Sequence, residues 1–392
     1  MIRTALLALL ALAAGCTMMA RHTLDERYGE PDPRRFDAAA QPPQGMSYGR
    51  DIQPLLNRRC VVCHACYDAQ CQLKLSAWEG VARGASKQKV YDAARLVEAP
   101  TTRLFVDART ASGWRERGFH PVLNERRPTA RTDLAGSVLF RMLDLKRRHP
   151  LPDTAVLPAT FDFSLNRDQQ CATIEEFDRF ERDYPQWGMP YGLPGLSDAE
   201  HATLRRWLEQ GAPYEGPPPL PPAVEQQVRE WEQFLNGDSL KQQLTSRYLY
   251  EHLFLAHLHF ASDRDRHYFR LIRSSTPPGQ ASRDIATRRP YDDPGVSRGY
   301  YRLEPERETL VAKTHMPYAL DPARMALWRQ LFLVPDYTVD LIDGRVPRLL
   351  REVPDRPRDR QAAASRPGSR ALTASATSGW ASHSSVRLST AA

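Results

Sequence analysis

Cys60-Val61-Val62-Cys63-His64 stands at the end of a short helical pattern. C-x-x-C-H is the spacing of covalent c-type haem attachment. Two thiols add to the vinyl groups on one edge of a porphyrin. The histidine that follows then lies beneath the iron as an axial ligand. The competing readings of the thiol pair are a disulfide or half of a zinc site. Zinc needs two further ligands at comparable spacing, and Cys66 and Cys71 are candidates for them. Upstream, Ile52, Leu55 and Leu56 repeat at i, i+3 and i+4, which predicts a helix leading into Cys60. Pro54 fits only the first turn of that helix.

A second axial ligand is expected far downstream. Met189-Pro190, followed by Gly192 and Leu193-Pro194, precedes a helix predicted over Asp198–Gln210. Ser197-Asp198-Ala199-Glu200 forms its capping box, Leu204, Trp207 and Leu208 its buried stripe, and Gly211 its stop. A Met-Pro loop ahead of a C-terminal helix is the way a cytochrome c domain offers a sulfur ligand, so Met189 is the candidate. His315-Met316-Pro317 is a rival, and an open or water-bound position is the third option. Methionine is also soft enough to fill any core gap. Cys63 and Met189 stand 126 positions apart, so a cytochrome c-like domain here must contain a long insertion.

The start of the chain, MIRTALLALLALAAGC over residues 1–16, has a charged Arg3, a ten-residue apolar run Ala5–Ala14, and small residues before Cys16. The run is too short to span a bilayer, which takes about 20 residues. It is expected to act as an export signal with a lipobox-like end, lipidated at Cys16, and to send the chain to the periplasm. A plain secretory signal and an uncleaved anchor are the alternatives. Disulfides persist in that compartment. With Cys16 lipidated, Cys66, Cys71 and Cys171 remain. Cys66–Cys71 is the nearest pair and the expected disulfide, with buried reduced thiols as the alternative.

The expected fold class is mainly α with some β. Residues 17–45 read as a flexible tether and 46–214 as the cytochrome c-like helical haem domain with its insertion. The Pro-rich segment 215–222 reads as a stiff linker, 223–354 as an α+β domain, and 355–392 as a disordered tail. Within the α+β domain, helices are predicted over Val224–Leu235, Leu240–Phe260 and Ala323–Phe332. Strands are predicted over Tyr268–Ile272, Tyr300–Leu303, Leu310–Thr314 and Tyr337–Ile342.

The 392 residues carry 54 Lys and Arg against 47 Asp and Glu, a net charge of +7. Six Arg and two Asp from Asp355 onward contribute +4 of this, which leaves +3 for residues 1–354. No basic stripe interleaves with aromatics, so nucleic acid is not an expected partner. A mean hydropathy of −0.55 excludes a polytopic membrane protein.

The segment Cys60-Val61-Val62-Cys63-His64-Ala65-Cys66-Tyr67-Asp68-Ala69-Gln70-Cys71-Gln72-Leu73 is more specific than a bare haem motif. It resembles the fatty acid cis/trans isomerase family of Gram-negative bacteria. Glu79–Lys87, Trp114–His120, Tyr250–Phe260, Ala286–Gly295 and Lys313–Tyr318 are similar to the same family. The resemblance covers about residues 46–354. Recognisable sequence stops near Pro354, so the catalytic domain is expected to be incomplete.

The resemblance implies a periplasmic enzyme with one covalent haem c, acting on membrane phospholipid or free cis-unsaturated fatty acids without a nucleotide cofactor. Rotation about C=C is blocked while the π bond is intact. Ferric haem withdrawing electron density from the alkene would permit rotation with no net redox. Cys60 and Cys63 would hold the haem, and His64 and Met189 would ligate iron. His64–Met189 ligation raises the potential, the right direction for an electron acceptor. A competing expectation is an electron-transfer lipoprotein that docks a redox partner. A non-catalytic, membrane-sensing haem protein is a third.

Other groups carry weaker readings. His252, His257 and His259 are expected on one helix, with 252 and 259 sharing a face; local hydrogen bonding competes with a second metal site. Arg288-Arg289 is a candidate for lipid phosphate or for surface ion pairs. Asp292-Asp293 reads as a turn ahead of an acid/base dyad. Tyr248–Phe260 is a candidate lining for an acyl channel, against ordinary core.

Overall fold

A computed structural model describes residues 22–37, 45–92, 95–152, 154, 156–158, 161–164, 167–341 and 346. The expected export signal with Cys16, parts of the 17–45 segment, the end of the 223–354 domain and the tail over 355–392 lie outside the described residues. Helices outweigh strands among the described residues, so the chain is mainly α with some β. It divides into two units. The first takes the chain up to Pro218 together with Arg307–Thr314; the second runs Pro219–Glu306 and resumes at His315.

The first unit is helical. A π-helical turn, Tyr48–Ile52, is capped by Ser47, whose Oγ accepts from the Arg50 N–H at 3.1 Å. It runs directly into α1 (Gln53–Arg59), with Pro54 in the first turn, where its missing N–H costs nothing. Tyr48, Ile52, Leu55 and Leu56 turn inward. Then come α2 (Trp78–Arg83), α3 (Ala111–Glu116), α4 (Ala130–Ala135), α5 (Val138–Arg148), α6 (Phe177–Asp183) and α7 (Asp198–Glu209). A short hairpin pairs β1 (Tyr91–Asp92) with β2 (Arg95–Leu96). Ile52, Leu56, Val81, Leu145, Phe177, Leu204 and Trp207 share one core. Gly84 follows α2 at φ +80°, and a Cβ there would stand 2.1 Å from the His120 carbonyl oxygen, so only glycine fits.

Two expectations for this unit are corrected. Residues 22–37 are not a tether. They are helical over 22–28, Leu24 and Phe36 pack against the core, and Arg35 pairs with Asp133 at 2.7 Å. The Pro-rich, polar setting hid these two apolar anchors. The disulfide joins Cys71 to Cys171, not to Cys66. Cys71 sits at φ 54° in the turn Gln70–Gln72, and the fold brings Cys171 within 5.6 Å by Cα. Proximity along the chain did not predict proximity in space. Cys66 is free.

The second unit is α+β. Helices α8 (Pro222–Leu235) and α9 (Leu240–Leu253) precede a four-stranded sheet. Its strands are β3 (His257–Phe260), β4 (Tyr268–Ser274), β5 (Tyr300–Pro305) and β6 (Pro317–Leu320), in the order β5-β4-β3-β6. β4 is antiparallel to both β3 and β5, and β6 runs parallel to β3 with His257 opposite Pro317. Helix α10 (Pro322–Trp328) continues as a π-turn over Arg329–Leu333. Trp231, Phe234, Leu258, Phe260, Phe269, Trp328 and Phe332 form the core.

Three expectations here are corrected. The helix predicted to Phe260 stops at Leu253, and His257–Phe260 is a strand. A run rich in Leu and aromatics satisfies either period, and pairing with β6 decides the outcome. Leu310–Thr314 closes in a turn rather than a strand, with the Thr314 N–H donating to the Val311 carbonyl at 3.0 Å. Residues 337–341 form no regular element.

Candidate functional site

In the first unit α1 delivers the chain to Cys60, where the helix tightens. The Cys60 and Val61 N–H groups both donate to the Leu56 carbonyl, at 2.8 and 3.0 Å. The Cys60 carbonyl then accepts from the Cys63 and His64 N–H groups at 3.1 and 2.9 Å. The motif is therefore one closed turn, with both thiols free. Cys60 is half-buried beside the core, and burial pushes its thiol up to about 12. A neutral sulfur suits that place, and a thioether is neutral. Cys63 is exposed.

His64 is buried, 8% exposed. Its Nδ1 lies 3.2 Å from the Leu73 carbonyl oxygen. A carbonyl only accepts, so Nδ1 carries the hydrogen and Nε2 keeps its lone pair. The Leu75 N–H donates to the His64 carbonyl at 2.7 Å and ties the same two segments together. Burial lowers the His64 pKa, which keeps the ring neutral. A neutral imidazole with its second nitrogen tied to a carbonyl is the form that ligates a metal. Two free thiols in one turn with such a histidine fit covalent haem. A four-cysteine zinc set is not assembled, because Cys71 is bound to Cys171.

Met189 is partly buried against the core that Cys60 also borders. Its N–H donates to the Met142 carbonyl on α5 at 3.0 Å. Gly188 makes that approach possible, since a Cβ there would stand 2.2 Å from the Lys146 nitrogen. Helix α7 begins at the predicted capping box, Ser197 Oγ accepting from the Glu200 N–H at 3.3 Å. Its buried face holds Leu204, Trp207 and Leu208, and the Trp207 ring lies 5.8 Å from that of Tyr48.

Sequence reasoning missed a partly buried polar cluster close to Cys60. Tyr214 donates to Glu79 Oε1 at 3.4 Å, and Arg307 reaches the same oxygen at 3.5 Å. Burial raises the Glu79 carboxyl above the usual carboxylate range. The Tyr48 hydroxyl is buried without a partner; burial first, then Glu79, raises its pKa. Nothing in periodicity or spacing marks these residues, which converge from four separate stretches. Lys146 was missed as well: it is 2% exposed, and its Nζ has no hydrogen-bond partner.

The second unit holds its own polar cluster. His257 Nδ1 and His315 Nδ1 lie 3.1 Å apart, so one donates and the other accepts. Glu306 Oε2 lies 3.9 Å from His257 Nε2 and 3.5 Å from Arg270 Nε. The Tyr268 ring packs edge-on to His315 at 5.0 Å and to His259 at 5.5 Å. His252 donates from Nδ1 to the Tyr248 carbonyl at 2.7 Å on α9 and so does not join them. The shared helix face expected for His252 and His259 does not exist, because β3 carries His257 and His259. His315, in the rival segment His315-Met316-Pro317, belongs to this cluster. Asp292 and Asp293 accept from the Arg289 and Gly295 N–H groups at 2.8 and 2.9 Å, which closes a turn.

A mixed α and β chain with a histidine cluster on one sheet defines no activity by itself. Comparison with known families does: residues 99–348 match fatty acid cis/trans isomerase (CTI). The match covers more than half of the 392 residues, and the chain belongs to the fatty acid cis/trans isomerase family. It is thus an isomerase. The Cys60–His64 turn lies upstream of the matched residues. No curated protein and no solved structure matches the chain.

Proposed function

We propose that this isomerase carries one covalent haem c on Cys60 and Cys63 and uses it to convert cis acyl double bonds to trans. The observation that carries the reading is His64, buried and neutral, with its Nδ1–H held by the Leu73 carbonyl in the turn that bears both free thiols. Family membership supports the reaction. When bound, ferric haem supplies an electron-withdrawing centre that lessens the π character of the alkene. Isomerisation changes no oxidation state overall, so no nucleotide cofactor would be consumed.

The residues of the chain perform the rest. The Leu73 carbonyl holds His64 Nδ1–H, which leaves Nε2 with the lone pair that would bind iron. The Met142 carbonyl holds the backbone of Met189, which would offer the iron its sulfur. Trp207 and Leu208, both almost fully buried, belong to the core that Cys60 and Met189 border, and would keep water from that side of the site. The substrate is membrane phospholipid or free cis-unsaturated fatty acid, reached from the periplasm, with Cys16 as a lipid anchor.

The test incubates purified holoprotein with a cis-monounsaturated fatty acid and separates the products by gas chromatography. Trans product is expected, and His64→Ala lowers the rate by 100-fold or more, on the order of 3 kcal/mol of barrier. A haem-bearing chain that cycles reversibly with redox partners but forms no trans product overturns the reading and favours electron transfer.

A further inference from the structure

Helix α5 presents Met142 and Lys146 one turn apart, on the same face. Both meet the segment that follows α6. Met142 accepts from the Met189 N–H, and Lys146 abuts Gly188, whose absent side chain leaves room for its backbone. The Lys146 stem continues to Gly195, passing 3.6 Å from where a Cβ would stand. Arg59, the residue before Cys60, reaches the same glycine and donates to its carbonyl at 2.7 Å. Lys146 thus enters the loop that joins Met189 to α7, against which the start of the haem motif also rests.

Its Nζ is buried and without a partner. Among the described residues no carboxylate offsets the cost of burial, which pulls the ammonium down to about 8, so it is still mainly charged at neutral pH. Folded proteins seldom bury a cation with nothing to receive it. The nearby cations meet their needs elsewhere: Arg59 pairs with Glu200 at 3.4 Å and Arg147 with Asp198 at 3.3 Å. Among the described residues no carboxylate pairs with Lys146, which leaves its charge for a negative group on a bound molecule.

We propose that Lys146 Nζ anchors the carboxylate of a ligand held at the Met189–Gly195 loop. Two ligands bring that chemistry to such a place: a haem propionate and the head group of a free fatty acid. The first source rests on the haem reading above; the second needs only the family's reaction.

The experiment compares wild-type holoprotein with Lys146→Met, which keeps length and apolar packing, and Lys146→Arg, which keeps the charge. One arm measures equilibrium binding of oleic acid against its methyl ester. The other measures the haem midpoint potential from pH 6 to 9.

If the fatty acid is the source, Lys146→Met weakens oleic acid about tenfold or more and leaves the ester unchanged. If the propionate is the source, Lys146→Met lowers the midpoint and makes it pH-dependent near neutrality, while both ligands bind as before. Lys146→Arg stays near wild type in either case. Should the Met variant not fold, Lys146→Gln is read in the same way. Two neutral variants that fail to fold while Lys146→Arg folds still assign the charge a negative partner.

A haem-bearing Lys146→Met that matches wild type in both arms overturns the proposal. So does an electron paramagnetic resonance spectrum of wild type showing an amine ligand on the iron. A colourless wild-type chain defeats the haem reading instead and leaves the fatty-acid arm to decide.

Discussion

His120 shows how burial writes pH dependence into this chain. Its backbone bridges to Ala85, with N–H to carbonyl distances of 2.7 and 3.0 Å. Burial, then Lys87 and Arg115, pull the ring from 6.5 down to about 4, against the opposing pull of Glu176 and Glu175. The unfolded chain therefore binds a proton that the folded chain refuses. Stability is complete above pH 6.5 and falls as pH drops from 6.5 towards 4. On the order of 3 kcal/mol is expected to be lost over that window. His120→Gln flattens that part of the curve in denaturant titrations at stepped pH; an unchanged slope contradicts the assignment.

The same residue-by-residue view shows what sequence can and cannot tell. Cys60, Cys63 and His64 announce themselves by spacing, because C-x-x-C-H is the pattern that covalent haem attachment would require. The partner of His64, the Leu73 carbonyl, is backbone and leaves no mark on residue type. Glu79, Tyr214 and Lys146 are equally silent, since their roles arise from burial that only the folded chain supplies.

Among elements, capped and periodic helices were legible. Helix α7 starts at its capping box and buries the stripe expected of it. The run from Phe254 to Phe260 was not legible, because its strand identity depends on β6, more than fifty residues away. The Cys71–Cys171 disulfide was hidden for the same reason. Gly84 gives a direct test of how α2 is fastened. Gly84→Ala forces a left-handed φ on alanine and drives a Cβ into the His120 carbonyl. A loss of at least about 3 kcal/mol is expected in chemical denaturation. A change below 1 kcal/mol would show that the α2 end does not rest on that contact.

For the molecule as a whole, the disulfide closes a span of 100 residues inside the first unit. Cross-linking so long a loop restricts the unfolded chain by about 4 kcal/mol. Cys171→Ser is expected to lower the unfolding temperature under oxidising conditions and to have no effect once wild type is reduced. Equal melting of oxidised wild type and variant would remove the bond from the account. The two-unit division was partly legible, since six prolines fall between Pro213 and Pro222. That Arg307–Thr314 packs with the first unit was not, because it lies well past that break. There Lys74 donates to Glu308 at 2.6 Å, and the Thr309 N–H to the Ser76 carbonyl at 2.7 Å.

Everything proposed for the chemistry depends on a pigment bonded to the Cys60–His64 turn. The decisive measurement is haem staining of the purified chain in a denaturing gel, with the absorption spectrum of the same preparation. A coloured band with a Soret maximum is expected, lost in the double variant Cys60→Ala, Cys63→Ala. A colourless wild-type chain that still produces trans fatty acid would contradict the account.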